Sequence, residues 1–254
     1  MSIVMIEDRG AVRHVILNRP EKRNALNAEL LHAFADALRT ASHTPAVECV
    51  AVRGEGPVFS AGIDLKEIEA LTTAELDMRN RQPIRALLLE CANLCEEMTK
   101  PVICQIHNAC VGAALEIAIA CDFRVASSDS RFSLPEVRMG IIPDVGGLSR
   151  LPALVGLGAA KDLVMTARTI GAGEALRLGL VSRIAEPSDL AGVTAGLAQE
   201  LLANSPHTAG RAKRVLDAAA HPALLQTLEM ELITQEYCIA LARERIREGT
   251  LEVT

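Results

Sequence analysis

The chain has 254 residues and is 50% hydrophobic, enough to bury a substantial core in one large domain or in a main domain with a smaller appendage. Its 26 basic and 32 acidic residues give a net charge of −6, which argues against a broad basic surface for nucleic acid or anionic lipid. Four phenylalanines and one tyrosine are the only aromatic residues, so the side chains that stack on RNA bases are scarce.

Cysteine usage and the apolar runs indicate the compartment. The seven cysteines form an odd set without CxxC spacing, and most lie in apolar runs, as is typical of small buried residues in a reducing environment. Charged residues interrupt the apolar positions at the start of the chain, and no apolar run reaches membrane-spanning length. The sequence therefore predicts a cytoplasmic protein without a signal peptide or a membrane segment.

Strands and helices alternate along most of the chain. The runs "IVMIED" and "VRHVILN" predict a β-hairpin, followed by a helix from Asn27 to Thr40. Next come a strand in "VECVAVRG", a glycine-bearing loop, and a helix-rich span over 73–98. Three further strands are predicted in "KPVICQIHN", "DFRVASS" and "RFSL". From Gly146 onward the pattern is mostly helical.

This alternation predicts an α/β fold built from repeated crossover units. Prolines near residues 187 and 206 mark the candidate boundary of a helical appendage. We therefore divide the chain into a core domain over 1–187, which carries the candidate site, and a helical C-terminal region over 188–254.

Glu116 is the one carboxylate within the small, apolar segment 109–121. If a helix begins just after Gly112, N–H groups near Ala113 lack partners within the helix and lie at its positive end, which favours developing negative charge. A carboxylate one turn further along projects beside that place and can act there as an acid or a base. The alternative is a helix-start glutamate paired with an arginine such as Arg124.

A second carboxylate, Glu136, follows a proline in the segment "RFSLPEVRMGIIPDVGG", and Asp144 lies further along it. A segment so rich in Gly and Pro predicts a loop. Glu136 and Glu116 can meet across a strand-loop return and divide the acid and base roles if their environments separate their pKa values. The alternative for Glu136 and Asp144 is turn formation and ion pairs with Arg138 and Arg150.

The segment "FSAGIDLKEI" offers a second N–H donor. Gly62 permits a tight turn just before an apparent helix start at Asp64, and this turn exposes the N–H of Ile63. Together with an N–H at Ala113, it makes a two-donor oxyanion hole. The alternative is a capped helix entry in which Lys66 is only solvated.

The sequence contains no complete metal-binding or cofactor-binding motif. Cys104, His107 and Cys110 are three residues apart, but a strand directs the first two to opposite faces and no fourth ligand follows. No dinucleotide-binding, phosphate-loop or nucleophilic-serine motif is complete. The sequence therefore predicts neither a metal nor a redox cofactor.

Five segments, in this order and spacing, resemble the enoyl-CoA hydratase/isomerase (crotonase) family. They are "LNRPEKRNALN", "FSAGIDLKEI", "KPVICQIHNACVGAALEIAIACDFRVAS", "FSLPEVRMGIIPDVGGLSRLPALVG" and "AKDLVMTARTIGAGEALRLGLVSRI". The resemblance implies a spiral of ββα units with a helical C-terminal region. It also implies assembly as homotrimers or dimers of trimers and a coenzyme A thioester as substrate.

The resemblance also implies residue roles. Glu116 and Glu136 match the family's two catalytic glutamates, and the N–H groups of Ile63 and Ala113 match its oxyanion hole. Where the family usually has three glycines in a row, this chain reads Gly112-Ala113-Ala114. The positions implied to bind the coenzyme A substrate are Ala25, Ala61, Asp64, Leu65 and Lys66, with Arg19, Lys22 and Arg23 as further cations.

For the activity, the resemblance favours an enoyl-CoA hydratase. The alternative is a double-bond isomerase that uses Glu136 and Asp144, because Asp144 occupies a position where many hydratases have glycine and dienoyl-CoA isomerases have an acid. A non-catalytic acyl-CoA-binding or RNA-associated member is the third possibility, and the intact glutamate pair and the net charge argue against it.

Overall fold

The computed structural model describes residues 2–64, 66 and 78–250, except for the side chains of residues 78–82. Within these residues, no helix combines the length and the apolar character needed to cross a membrane. The helices are α1 (Ala28–His43), α2 (Met78–Glu97), α3 (Ala113–Ile119), α4 (Gly147–Thr166), α5 (Ala172–Arg177), α6 (Leu190–Ala203), α7 (Pro206–Ala220) and α8 (Leu224–Arg247), with 3-10 turns at Pro20–Lys22 and Glu136–Met139. The strands are β1 (Val4–Arg9), β2 (Val12–Leu17), β3 (Cys49–Gly54), β4 (Val102–Ile106), β5 (Ala109–Val111), β6 (Phe123–Ser127), β7 (Arg131–Ser133), β8 (Ile170–Gly171) and β9 (Arg183–Ala185).

The strands form two sheets. The main sheet has the order β1-β2-β3-β4-β6-β9, and the small sheet has the order β5-β7-β8. Strands β1 and β2 form the predicted antiparallel hairpin, and every other pair in the main sheet is parallel. Strands β8 and β9 lie in the region predicted to be mostly helical. They are only two and three residues long, too short to leave a period-two pattern in the sequence.

Helix α1 follows the predicted pattern closely. The side chain of Asn27 accepts a hydrogen bond from the Leu30 N–H at 3.0 Å and caps the helix. The helix continues three residues beyond the predicted end at Thr40, to His43. Its buried face includes Leu31, Phe34 and Leu38 and packs into the main core of the protein.

The repeat unit explains how the candidate residues meet. In each unit the first strand joins the main sheet, the next extended segment joins the small sheet, and a helix or helical turn follows, as in β4-β5-α3 and β6-β7-α4. After β3, Ser60 forms a parallel bridge to Cys110 of β5. Ile63 and Ala113 therefore occupy equivalent positions in successive units, and Glu136 lies one residue beyond the equivalent position in the next unit, which brings the three residues to one place. This architecture confirms the predicted spiral of ββα units with a helical C-terminal region.

The face of the main sheet opposite α1 is covered by α6. Leu190, Leu197 and Ala198 of this helix pack with Val12 and Ala51 of the sheet in a second apolar cluster. The helix that follows residue 188 is thus packed on the core sheet. The division of the chain at 187 stays a prediction.

Candidate active site

Helix α3 begins at Ala113, as predicted, and Gly112 precedes it with φ 56° and ψ −130°. A β-carbon at this position would be strained, and it would lie 2.8 Å from Oε1 of Glu136. Ala113 and Ala114 are within the helix and do not have a positive φ. Only the first of the three positions therefore requires glycine, and the two alanines are accommodated.

The Ile63 N–H lies beside the start of α3. The Gly62 carbonyl accepts from the Leu26 N–H at 2.8 Å and the Asp64 N–H donates to the Leu26 carbonyl at 2.9 Å, so the Ile63 N–H points to the opposite side. A β-carbon built on Gly62 would be 3.8 Å from the Ala113 nitrogen. In the part of the chain that the structure describes, neither the Ile63 nor the Ala113 N–H donates a hydrogen bond. Two adjacent donors are therefore available to a ligand.

Glu116 lies one turn into α3 and is only 2% exposed. Its Oε2 accepts hydrogen bonds from the main-chain N–H groups of Val145 at 3.0 Å and Gly147 at 2.8 Å. Arg124 instead donates to three main-chain carbonyl groups. The alternative of a Glu116–Arg124 pair is therefore wrong, and Glu116 is held by backbone donors.

Glu136 begins the 3-10 turn after β7 and is 8% exposed. Among the described residues, its buried Oε2 has no hydrogen-bond partner. Arg138 donates to the Ala167 carbonyl, and Arg150 forms an ion pair with Glu96 at 2.6 Å. The ion pairs proposed as the alternative for Glu136 are therefore not formed. Burial raises the pKa of Glu136 to about 7.

The two glutamates are electrostatically linked. Burial raises the pKa of Glu116 well above its usual value, and the charges of Glu136, Asp144 and Glu231 raise it further, while the hydrogen bond from Val145 opposes this shift. Two such groups titrate as a pair. The hydrogen-bond donors at Glu116 favour its ionised form, whereas Oε2 of Glu136 accepts no hydrogen bond from the described residues. The two buried carboxyl groups therefore differ in their hydrogen bonding, as a pair that divides acid and base roles requires.

Asp144 has a partner that the sequence did not reveal. Nε of Arg85, on α2, lies 3.0 Å from Oδ2 of Asp144 and 3.1 Å from its main-chain carbonyl oxygen. Both side chains are buried. The predicted alternative partners, Arg138 and Arg150, bond elsewhere. Arg85 therefore fixes the orientation of this carboxylate next to the glutamate pair.

The residues implied to bind coenzyme A lie in two adjoining segments. The Ala61 N–H donates to the Arg23 carbonyl at 3.0 Å. Nη1 of Arg19 lies 2.5 Å from Oδ2 of Asp64 and donates to the Ala25 carbonyl at 3.0 Å. The structure thus brings Ala25, Ala61 and Asp64 together, and Asp64 neutralises the charge of Arg19.

Exposed cations remain near these segments. Lys66 is exposed, and its N–H donates to Oδ1 of Asp64 at 3.1 Å. Lys22 and Arg23 are also exposed. Leu65, the remaining predicted position, lies outside the described residues. Three exposed cations are therefore placed to meet an anionic ligand.

Sequence reasoning also missed two polar residues of α8. Glu231 and Gln235 are 3% and 1% exposed, and both bond to the loop that follows Glu136. With Leu228 they occupy buried positions spaced three and four residues apart on one helical face. Polar residues at the core positions of an amphipathic helix were the available signal.

Two N–H groups that have no acceptor among the described residues lie beside two buried carboxyl groups, on a spiral of ββα units, and such an arrangement is typical of an acid–base enzyme. The chain matches the enoyl-CoA hydratase/isomerase family over residues 7–252. It is 36% identical over 218 residues to the short-chain-enoyl-CoA hydratase of Clostridium acetobutylicum, covering 84% of this chain and 80% of that protein. It is 33% identical over 249 residues to the crotonyl-CoA hydratase of Syntrophomonas wolfei, covering 97% and 92%.

A solved structure of similar fold supports the same family. An enoyl-CoA hydratase/isomerase from Xanthobacter autotrophicus Py2 superposes with a TM-score of 0.86 at 28% identity, covering 98% of this chain and 94% of that one. The chain belongs to the enoyl-CoA hydratase/isomerase family.

Proposed function

We propose that the protein is an enoyl-CoA hydratase, which adds water across the 2,3 double bond of a 2-enoyl-CoA thioester to give a 3-hydroxyacyl-CoA. The main support is that Glu116 and Glu136 are both buried beside the N–H groups of Ile63 and Ala113, which donate to no group in the part of the chain that the structure describes. Relatives named short-chain-enoyl-CoA and crotonyl-CoA hydratase support the substrate class.

In this proposal, Ile63 and Ala113 form an oxyanion hole. Their N–H groups donate to the thioester oxygen, which gains negative charge as the β-carbon is attacked. Such donors are most effective where water is excluded, and losing one typically costs about 3–4 kcal/mol of transition-state stabilisation. The polarisation of the enoyl group then comes from the backbone, so we propose that neither a metal nor a redox cofactor takes part.

The glutamates supply the proton transfers. Glu116 takes a proton from water as the water oxygen bonds to the β-carbon, and the electrons of the double bond move toward the thioester oxygen. Glu136 then donates its proton to the α-carbon. Atoms and charge balance, because one proton arrives at Glu116 and one leaves Glu136. Exchange of a proton between the pair and solvent restores the starting state.

The coenzyme A portion is proposed to bind where the segments around Ala25 and Ala61 adjoin. Its phosphates would meet the exposed cations of this region: Lys22, Arg23 and Lys66. The Arg19–Asp64 ion pair holds the two segments in register. The acidic chain thus supplies positive charge locally.

The test is hydration of crotonyl-CoA by the purified protein, followed by loss of the conjugated enoyl absorbance. We expect turnover by the wild type and a fall of about 10³-fold or more in Glu116→Gln and Glu136→Gln, because each variant removes one of two coupled proton transfers. Glu48→Gln, at an exposed position, is the matched control and should keep wild-type rates. Binding of the thioester without turnover by the wild type would contradict the proposal.

The isomerase alternative requires Asp144 to exchange a proton with the acyl chain. Oδ2 of Asp144 is already bonded to Arg85, which argues against that role. Asp144→Asn distinguishes the two activities. If the protein is a hydratase, we expect the variant to hydrate crotonyl-CoA at a rate within about tenfold of the wild type, since the substitution leaves both glutamates in place. Loss of double-bond migration with a doubly unsaturated substrate would favour the isomerase.

We further propose that the protein assembles with copies of itself, as a trimer or a dimer of trimers. Helices α7 and α8 carry large apolar side chains that are between 59% and 82% exposed: Val215, Leu216, Leu225, Met230, Ile233 and Tyr237. An apolar surface of this kind marks an interface. Sedimentation equilibrium should give a multiple of the chain mass for the wild type, and the double variant I233E/Y237E should shift it toward the monomer.

A cytoplasmic location is proposed from the cysteines. All seven thiols are unpaired, and six of them are buried. Unpaired thiols are typical of reducing compartments. Fractionation of the native cells, with immunodetection of the protein, tests this location.

A further inference from the structure

The loop between Glu136 and α4 is held from two sides. On one side, Oε2 of Glu116 accepts hydrogen bonds from the N–H groups of Val145 and Gly147. On the other, Oε2 of Glu231 accepts the Gly146 N–H at 2.9 Å, and Oε1 accepts the Ser149 N–H at 2.7 Å and bonds to its hydroxyl. Alternate N–H groups at the start of α4 thus bond to two buried carboxylates from different regions of the chain.

Other contacts tie the same face of α8 to this loop. Gln235 accepts from the Ile142 N–H at 2.8 Å and donates to its carbonyl at 3.0 Å. Nη2 of Arg85, whose Nε bonds to Asp144, donates to the Leu228 carbonyl at 3.2 Å. The loop is therefore bonded to the C-terminal helix directly at Ile142 and Gly146, and through Arg85 at Asp144.

We propose that Glu231 is a positioning residue for Glu116: by fixing the first turn of α4, it aims the Val145 and Gly147 N–H groups that hold the catalytic base. The proposal rests on the hydratase function for its kinetic consequence. It assigns the C-terminal helix a part in catalysis, in addition to the proposed role in assembly.

Glu231→Gln tests this role with nearly unchanged volume. An amide keeps one acceptor for Ser149 but directs an N–H group at the Gly146 N–H, so the turn shifts. We expect kcat to fall by about tenfold to a hundredfold with KM within about twofold, because small displacements of a catalytic group slow the chemical step. Glu229→Gln, exposed on the same helix, is the matched control and should match the wild type.

The pH profile separates positioning from a general structural defect. The charged groups that face Glu116 are Glu136, Glu231, and Asp144 with its partner Arg85. The charge of Glu231 raises the pKa of Glu116, so removing that charge lowers this pKa and moves the low-pH limb of the bell-shaped profile, where Glu116 loses its proton, to lower pH. A wild-type kcat, or a reduced kcat with an unmoved profile, would overturn the proposal.

Hydrogen exchange supplies a readout that does not depend on turnover. In Glu231→Gln, the amides of Val145 and Gly147 should exchange faster than in the wild type and in Glu229→Gln. Unchanged exchange would overturn the positioning role even if the enzyme hydrates crotonyl-CoA. Faster exchange in a protein that hydrates no enoyl-CoA would support the positioning role and refute the hydratase function.

Ser149→Ala gives the same test if Glu231→Gln does not fold, because it removes the hydroxyl donor to Glu231 and keeps the Glu231 charge. The amides of Val145 and Gly147 should again exchange faster, and the pH profile should not move.

Discussion

The starts of helices α3 and α4 lie at the same site but differ in what their N–H groups meet. At α3 the Ala113 N–H, with that of Ile63 beside it, has no partner among the described residues. At α4 the N–H groups of Gly146, Gly147 and Ser149 all bond to buried carboxylates.

N–H groups at a helix start can serve two purposes, depending on whether a protein group already accepts their hydrogen bonds. Free N–H groups in a dry site stabilise charge that develops on a substrate. N–H groups that already bond to Glu116 stabilise and orient a permanent charge, the base. In the proposed mechanism, the start of the first helix stabilises the transition state and the start of the second holds a catalytic residue.

The largest effect should come from disturbing α3. Gly112→Ala introduces a β-carbon at a residue with φ 56°, and this carbon would lie 2.8 Å from Oε1 of Glu136. The substitution therefore displaces both the turn that precedes Ala113 and the side chain of Glu136. We expect kcat/KM for crotonyl-CoA to fall by about 10³-fold, equivalent to about 4 kcal/mol. Ala113→Gly keeps its N–H and should remain within about threefold of the wild type. Equal activity of the two variants would refute the account of this turn.

A smaller effect is expected at α4. A β-carbon on Gly147 would lie 2.7 Å from Oε2 of Glu116 and 2.8 Å from Cβ of Pro143, so Gly147→Ala pushes the base out of position. We expect kcat to fall by about a hundredfold, or about 2.7 kcal/mol. Gly158→Ala, in the same helix, is the control, because among the described residues no atom outside the adjoining helix backbone lies within 4 Å of the new carbon. If both variants turned over at wild-type rates, the close packing of Gly147 on Glu116 would have no role.

A third effect, on stability rather than on activity, distinguishes the two glutamates. The pKa of Glu136 is about 7 in the folded protein, above the usual 4.5, so between these values the folded state keeps a proton that the unfolded state has released. Stability therefore falls as pH rises through this range. Glu136→Gln should remove a cost of about 2–3 kcal/mol at pH 8 and little at pH 4.

Urea unfolding at several pH values measures this difference. The free energy of unfolding of Glu136→Gln, relative to the wild type, should increase from pH 4 to pH 8. Glu48→Gln should show no such trend. A difference that is independent of pH would mean that Glu136 is not held in its protonated form.

The sequence predicts those parts of the site that depend on local pattern. Gly112 before an apolar run predicts the start of α3, and the position of Glu116 within that run places it one turn inside. The place of Glu136 at the start of a loop is predicted by the proline and the short strand that precede it. The resemblance to a known family then assigns Ile63 and Ala113 as the donors.

The supporting contacts were not predicted because they join distant parts of the chain. Arg85 and Asp144 are 59 residues apart, Glu231 and Gly146 are 85 apart, and Gln235 and Ile142 are 93 apart. Local periodicity contains no information about which polar groups meet across such separations. Strand β9 was missed for a related reason, since its pairing with β6, rather than its own pattern, defines it.

We expect these two helix starts to catalyse the hydration of an enoyl thioester. The most direct test is the mass of the product that the wild-type protein forms from crotonyl-CoA in water labelled with heavy oxygen. Hydration should give a product heavier by one labelled water, formed by the wild type and by Glu48→Gln but not detectably by Glu116→Gln. A product of unchanged mass, which is the result of isomerisation, or unaltered substrate would contradict it.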